Sequence, residues 1–113
     1  MERKLIYISA PYNGTPEETE RRMDIVLKEI GKIQSMGHFV ITPLMFHFTM
    51  KYITFPSTDD YWYKFSSRLL HSGIDEMIVL KLDGWDKSKG VQIEINTCKE
   101  LGISIEYKSK ETL

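Results

Sequence analysis

The chain has 113 residues, 42% apolar and 27% charged, with a formal net charge of −1 and a pI near 6.3. That length suits one domain over residues 1–113 with a single core. The balanced charge excludes polymeric nucleic acid as the main partner but leaves room for a small anionic ligand. The single cysteine, Cys98, excludes a disulfide framework and a paired-thiolate metal site. No apolar run approaches the ~20 residues that span a bilayer, so a cytoplasmic protein without membrane contact is expected.

Residues 4–9, Lys-Leu-Ile-Tyr-Ile-Ser, predict a first strand, and Ala10 to Gly14 a loop. Thr15-Pro16-Glu17-Glu18 is a helix start: Thr caps, Pro fits the first turn, and Glu three residues after the cap completes a capping box. Met23, Val26, Leu27, Ile30 and Ile33 then form a 3.6-residue apolar stripe that stops at Gly37. Residues 38–42 predict a second strand, ended by Pro43. Residues 44–57 read as irregular and rich in Met, Phe and Tyr, suited to covering a flat heterocycle or to forming a subunit interface or small satellite core. Ser57 or Thr58 caps a second helix carrying Trp62, Phe65 and Leu69, closed by Gly73. Residues 76–82 predict a third strand, and a third helix runs from about Gly90 to Leu101. Ile103 to Tyr107 form a fourth strand, and Lys108 to Leu113 a frayed tail.

Strands alternating with helices imply an α/β fold, a parallel sheet with helices on both faces. Right-handed crossovers give the strand order 2-1-3-4, in which the connection reverses between strands 1 and 3. Ligands bind above the strand ends at such a switch point. Two loops meet there, Ser9-Ala10-Pro11-Tyr12-Asn13-Gly14 and the stretch from Gly84 to Gly90.

The second of these loops leads to the most unusual residue. At about 100° per residue the third helix has a stripe of Val91, Ile95, Cys98 and Leu101, and Glu94 falls between Cys98 and Leu101. A carboxylate facing inward there is costly to bury without a partner or a task. It hydrogen-bonds loop N–H groups, or is a surface Glu rotated outward, or meets positive charge developing on a substrate or acts as a nucleophile. Ser88 is a helix N-cap or a hydroxyl donor to a phosphate beside free helix N–H groups. Gly90 lets a ligand approach the backbone. Asp86 can orient a sugar hydroxyl or hydrogen-bond its own turn. Tyr7 lies within the first strand, and Tyr12 on the crevice loop. His47 can hydrogen-bond a base held by the aromatic segment. No Walker loop, dinucleotide glycine fingerprint or metal-ligand spacing is present.

Ile6-Tyr7-Ile8-Ser9-Ala10, Pro43, Asp75 and Ser88-x-Gly90-x-x-x-Glu94 together resemble the nucleoside 2-deoxyribosyltransferase-like superfamily, in order along nearly the whole chain. The wording Gly84-Trp85-Asp86-x-Ser88-x-Gly90-Val91 looks closest to its small bacterial and phage members. The resemblance implies a flavodoxin-like three-layer sandwich and chemistry at an N-glycosidic bond of a nucleotide or nucleoside. Glu94 would attack or stabilise the anomeric carbon, with Tyr7 and Asp86 orienting sugar or carboxylate. Ser88, where transferases carry Asp, suits a 5′-phosphate, because a hydroxyl donates where a carboxylate repels. Gly90 and the loop from Ser9 through Ala10 and Tyr12 to Gly14 would complete the phosphate site, and His47 would contact the base. No metal or organic cofactor is implied, and a homodimer or larger assembly is expected to complete the pocket. One position departs from the pattern. The supporting acid falls on Ser67, so its task passes to Asp60, Asp86 or His47, or the chain is a nucleotide-sensing module without catalysis.

Overall fold

A computed structural model describes residues 2–55 and 58–113. Four strands, β1 (Leu5–Ser9), β2 (Phe39–Ile41), β3 (Glu76–Lys81) and β4 (Ser104–Ser109), form one sheet of order β2-β1-β3-β4. Every pairing is parallel, with Tyr7 opposite Met77 and Ser9 opposite Val79. The helices α1 (Pro16–Ser35), α2 (Asp59–Leu70) and α3 (Lys89–Leu101) connect the strands. The fold is a three-layer α/β sandwich of flavodoxin-like type, as the resemblance implies, with the parallel sheet that the alternation predicts.

Strand alternation assigns the layers. Ile6 and Ile8 of β1, and Ala10 just after it, join Val26 and Ile33 of α1 on one face, with Ile78 and Leu80. Tyr7, Met77 and Val79 face the other way, onto Leu70 of α2 and Val91, Ile95 and Cys98 of α3. Cys98 is fully buried and its thiol contacts the Met77 sulfur at 3.6 Å. Burial, and secondarily the charge of Glu94, pushes that thiol up to about 11, so it remains protonated. Asp75 clamps β1 to β3: its carboxylate accepts from the Leu5 N–H at 2.8 Å, and its own N–H donates to the Leu5 carbonyl at 2.9 Å.

Several local expectations are corrected. Residues 44–57 are not irregular throughout, because Pro43–Tyr52 form a 3-10 helix. Thr42 caps it by accepting from the Leu44 N–H at 3.2 Å, and Pro43 supplies a preset φ in its first turn. Leu27 lies outside the buried stripe and is 41% exposed, while Glu29 is buried at 2%. The inward face of α1 runs through Met23, Val26, Glu29 and Ile33, and Leu27 is a further ~100° round the helix from Val26. Glu29 tolerates this position because Lys108 of β4 donates to its carboxylate and Lys32 lies 3.7 Å from it. In α2 the most buried positions are Ser66 and Leu70, with Phe65 and Leu69 half-buried beside them. Thr58 holds the N-cap position of α2, and Ser57, the other expected cap, lies outside the described residues. The tail is ordered by contacts: β4 continues to Ser109, Lys110–Thr112 form a 3-10 turn, Lys110 pairs with Asp83 at 2.8 Å, and Leu113 packs on the α1-side core. Among the described residues no helix is long and apolar enough to cross a membrane.

Candidate functional site

The loops after β1 and β3 converge as the switch-point argument requires. A cleft of about 310 Å³ opens there. Its walls come from the β1–α1 loop, the 3-10 helix, the first turns of α2 and the start of α3. Glu94 lines this cleft.

Glu94 is fixed by residues of β1. Tyr7 and Ser9 are two apart in the strand, so both side chains leave the same face of the sheet, toward α3. The Tyr7 hydroxyl donates to Glu94 Oε2, and the Ser9 hydroxyl donates to Oε1 at 2.9 Å. Tyr7 Oη also lies 2.9 Å from Ser66 Oγ. A phenol has one hydrogen, and when that hydrogen goes to the carboxylate, Ser66 is the donor in the second contact. Burial raises the Glu94 carboxyl to about 7, against the lowering effect of the Tyr7, Ser9 and Ser66 hydroxyls. Burial, reinforced by the neighbouring Glu94 charge, drives Tyr7 far above the ordinary phenol range, so it is a permanent donor.

The position of Glu94 on its helix corrects the expected stripe. The buried residues of α3 are Val91, Ile95 and Cys98, whereas Leu101 is 41% exposed and Glu94 has intermediate exposure. At about 100° per residue Glu94 and Leu101 lie some 40–60° to one side of Cys98, on the flank of the stripe rather than within it. At the N-terminal end that flank borders the cleft, which is why a carboxylate is tolerated there.

Ser88 is the N-cap of α3: its hydroxyl oxygen accepts from the Val91 N–H at 3.4 Å, and it lines the cleft. Accepting occupies only a lone pair, so the hydroxyl hydrogen remains to donate. The N–H groups of Lys89 and Gly90 belong to the first helical turn, which has no intrahelical acceptor for them. A methyl group on Gly90 would stand 3.5 Å from Tyr63 Cε1, so Gly90 leaves the gap between the α2 and α3 walls open. Ala10, Tyr12 and His47 also line the cleft. Tyr12 Oη sits 2.5 Å from His47 Nδ1, and His47 Nε2 sits 3.3 Å from Glu20 Oε1 of α1.

Four expected residues do not line the cleft: Tyr7, Ser9, Asp86 and Gly14. Tyr7 and Ser9 are buried beneath it, and the Ser9 hydroxyl is spent on Glu94 rather than offered to a phosphate. Asp86 is exposed in the turn before α3. Gly14 packs against α1, where an added Cβ would come within 2.9 Å of Arg22 Nη1 and 3.2 Å of Glu18 Cβ. Arg22 itself holds the loops together, donating to the Tyr12 and Asn13 carbonyls and to the Asp83 carbonyl at 3.1 Å. Ser67 faces His71 rather than the cleft, with 3.5 Å between its hydroxyl and the ring Nδ1.

Polar cleft residues that the sequence did not mark include Ser66, Asp59 and Tyr63. Ser66 was legible in principle, one turn after Trp62 and four residues before Leu70, a small polar group on an inward face. Asp59 is one of two acids in the first turn of α2, and nothing local shows that this turn borders the cleft. Burial, then the charges of Asp59 and Glu94, raise the Tyr63 hydroxyl. Among the described residues no group of three or more His, Cys, Asp or Glu side chains is arranged to hold a metal ion.

A family described as a domain of unknown function, DUF1937, matches residues 4–109. The chain belongs to the DUF1937 family. Comparison with curated proteins finds no match. The DUF1937 match spans all four strands and every residue described at the cleft.

Proposed function

We propose that this cleft cleaves the N-glycosidic bond of a nucleoside 5′-monophosphate or nucleoside, as the resemblance to the nucleoside 2-deoxyribosyltransferase-like superfamily implies. The observation that carries the reading is the Glu94 carboxylate at the cleft wall, gripped by the Tyr7 and Ser9 hydroxyls. Those two hydrogen bonds fix the carboxylate's orientation. Glu94 attacks C1′ or stabilises its oxocarbenium character; the C1′–N bond breaks, and its electron pair leaves with the base. Water then adds at C1′, or a second base does in a transfer reaction, and Glu94 is released. Tyr7 keeps its proton and acts by positioning.

The hydroxyl of Ser88 and the N–H groups of Lys89 and Gly90 would hold a 5′-phosphate at the start of α3. Asp59 lines the same cleft, and its charge opposes a dianion while accepting from a free 5′-hydroxyl. Nucleosides and their monophosphates therefore belong in one assay panel. Incubation followed by chromatography should show release of free base by the wild type and none by Glu94→Gln. No release by the wild type, or equal release by both, ends the proposal.

A second reading has its own support. Ser67 stands where the superfamily carries an acid and points to His71, so the fold can serve as a non-catalytic nucleotide sensor. A nucleotide that raises the melting temperature yet survives intact favours the sensor. Self-association is part of either reading. Phe48, Tyr52 and Phe55 are 54%, 73% and 47% exposed near the cleft's 3-10 helix and offer the surface for a second copy, which sedimentation velocity tests.

A further inference from the structure

Loss of a nitrogenous base is difficult unless a proton reaches the base as the C1′–N bond breaks. With Ser67 turned away from the cleft, that proton needs another source. Asp60 pairs with Lys64 at 3.1 Å and borders a separate shallow depression, and Asp86 is exposed outside the cleft. Elsewhere in the cleft lining Tyr12 contacts His47, and His47 reaches Glu20 of α1, which lies outside the cleft.

We propose that Tyr12 delivers the proton to the departing base and that His47, held by Glu20, replaces it. The inference rests on the N-glycosidic reading and names the residues that serve its leaving group. The hydrogen-bond chemistry dictates the direction of transfer. A carboxylate only accepts, so His47 Nε2 carries a hydrogen toward Glu20. In the neutral ring Nδ1 is then an acceptor, and it takes the Tyr12 hydrogen away from the cleft. In the imidazolium Nδ1 donates to Tyr12 Oη instead, which frees the Tyr12 hydrogen for a ligand. As the C1′–N bond breaks, its electron pair goes to the base, a ring nitrogen of the base takes the Tyr12 hydrogen, and the His47 Nδ1 hydrogen moves to Tyr12 Oη. The phenolate never accumulates, which matters because burial and the Glu20 charge both disfavour it. Glu20 is 70% exposed, so solvent reprotonates the ring. The water that later adds at C1′ gives up the balancing proton. Tyr12 is the catalytic residue here, and His47 and Glu20 are the groups that charge it.

The test compares two leaving groups on one sugar. A natural nucleotide substrate needs protonation of its base, whereas the corresponding 4-nitrophenyl glycoside leaves as a stable anion. Tyr12→Phe should lower kcat/KM for the natural substrate by about 10²-fold or more and leave the 4-nitrophenyl glycoside within about threefold of wild type. Glu20→Gln, a substitution at an exposed site, should show the same selectivity at about tenfold. Equal losses on both substrates would mean that the chain of side chains only shapes the pocket, and the proposal is then overturned. Selective loss in Asp59→Asn but not in Tyr12→Phe overturns it in favour of Asp59. If the wild type cleaves neither compound, the glycosidic reading itself fails and this inference with it; cleavage of both by wild type separates the two failures.

Discussion

The Tyr7 hydroxyl donates to the Glu94 carboxylate across 87 residues of chain. One residue sits in the first strand and the other in the last helix, and parallel pairing of β1 with β3 brings them together. Tyr7 is wholly buried, so the bond fixes the carboxylate from beneath while the cleft stays open above it.

That bond sets a pH dependence. In the proposed reaction Glu94 would act as a nucleophile only when ionised, and burial raises its carboxyl to about 7. Base release should therefore rise with pH through about 7 as this carboxyl ionises. Tyr7→Phe and Ser9→Ala each remove a hydrogen bond that lowers the Glu94 pKa, so both should move the rising limb to higher pH. A limb that stays in place in both variants rules out this description of the carboxylate.

Stability should respond in the opposite sense. The folded chain holds the Glu94 proton more tightly than the unfolded chain does, so this group's contribution falls as pH rises from 4.5 through about 7. The whole rise corresponds to at most roughly 3 kcal/mol. Glu94→Gln removes the effect and keeps an oxygen for Tyr7 or Ser9. The variant should match wild type in denaturant melts at pH 4 and exceed it at pH 8.

Gly90, in the first turn of α3, and Gly14, in the β1–α1 loop, should behave differently. Gly90→Ala places a methyl group in ordinary contact with Tyr63, so the melting temperature should hold while ligand binding weakens. Gly14→Ala drives a methyl group against Arg22 and Glu18 and should cost about 1–2 kcal/mol, read from chemical denaturation. Equal losses of binding and of stability in the two variants would contradict these separate roles.

The pair between Lys108 and buried Glu29 holds β4 to α1 on the face away from the cleft. Lys108→Met leaves that carboxylate with Lys32 as its nearer cation and should cost roughly 3 kcal/mol at neutral pH. The double variant Lys108→Met with Glu29→Leu should recover most of the loss, and a double variant as unstable as the single one would show that the pair acts through packing alone.

Arg22 is a further test of how the cleft is held. Its guanidinium bridges the carbonyls of Tyr12, Asn13 and Asp83, which belong to the two converging loops. Arg22→Lys keeps the charge but lacks the planar fork, so it should raise KM more than it lowers kcat. Steady-state kinetics on any substrate found above decides this.

Alternating strands and helices, with the handedness of their crossovers, determined the parallel sheet, its order and the place where the loops meet. Thr15 and Glu18 form the expected capping box, and Gly37, expected to stop the first helix, adopts a positive φ. Those features are local or topological, so a linear chain carries them. Glu94 stood out because a carboxylate beside an apolar stripe breaks a 3.6-residue pattern. Its partners carried no such local signal: Tyr7 and Ser9 entered through the family resemblance and Ser66 not at all, and all three look like ordinary strand and helix residues until two elements are stacked. The link from Tyr12 through His47 to Glu20, the burial of Glu29 and the exclusion of Asp86 from the cleft were likewise decided by tertiary structure. Periodicity says which side of a helix faces inward, but it does not say which residue of another element arrives to meet it.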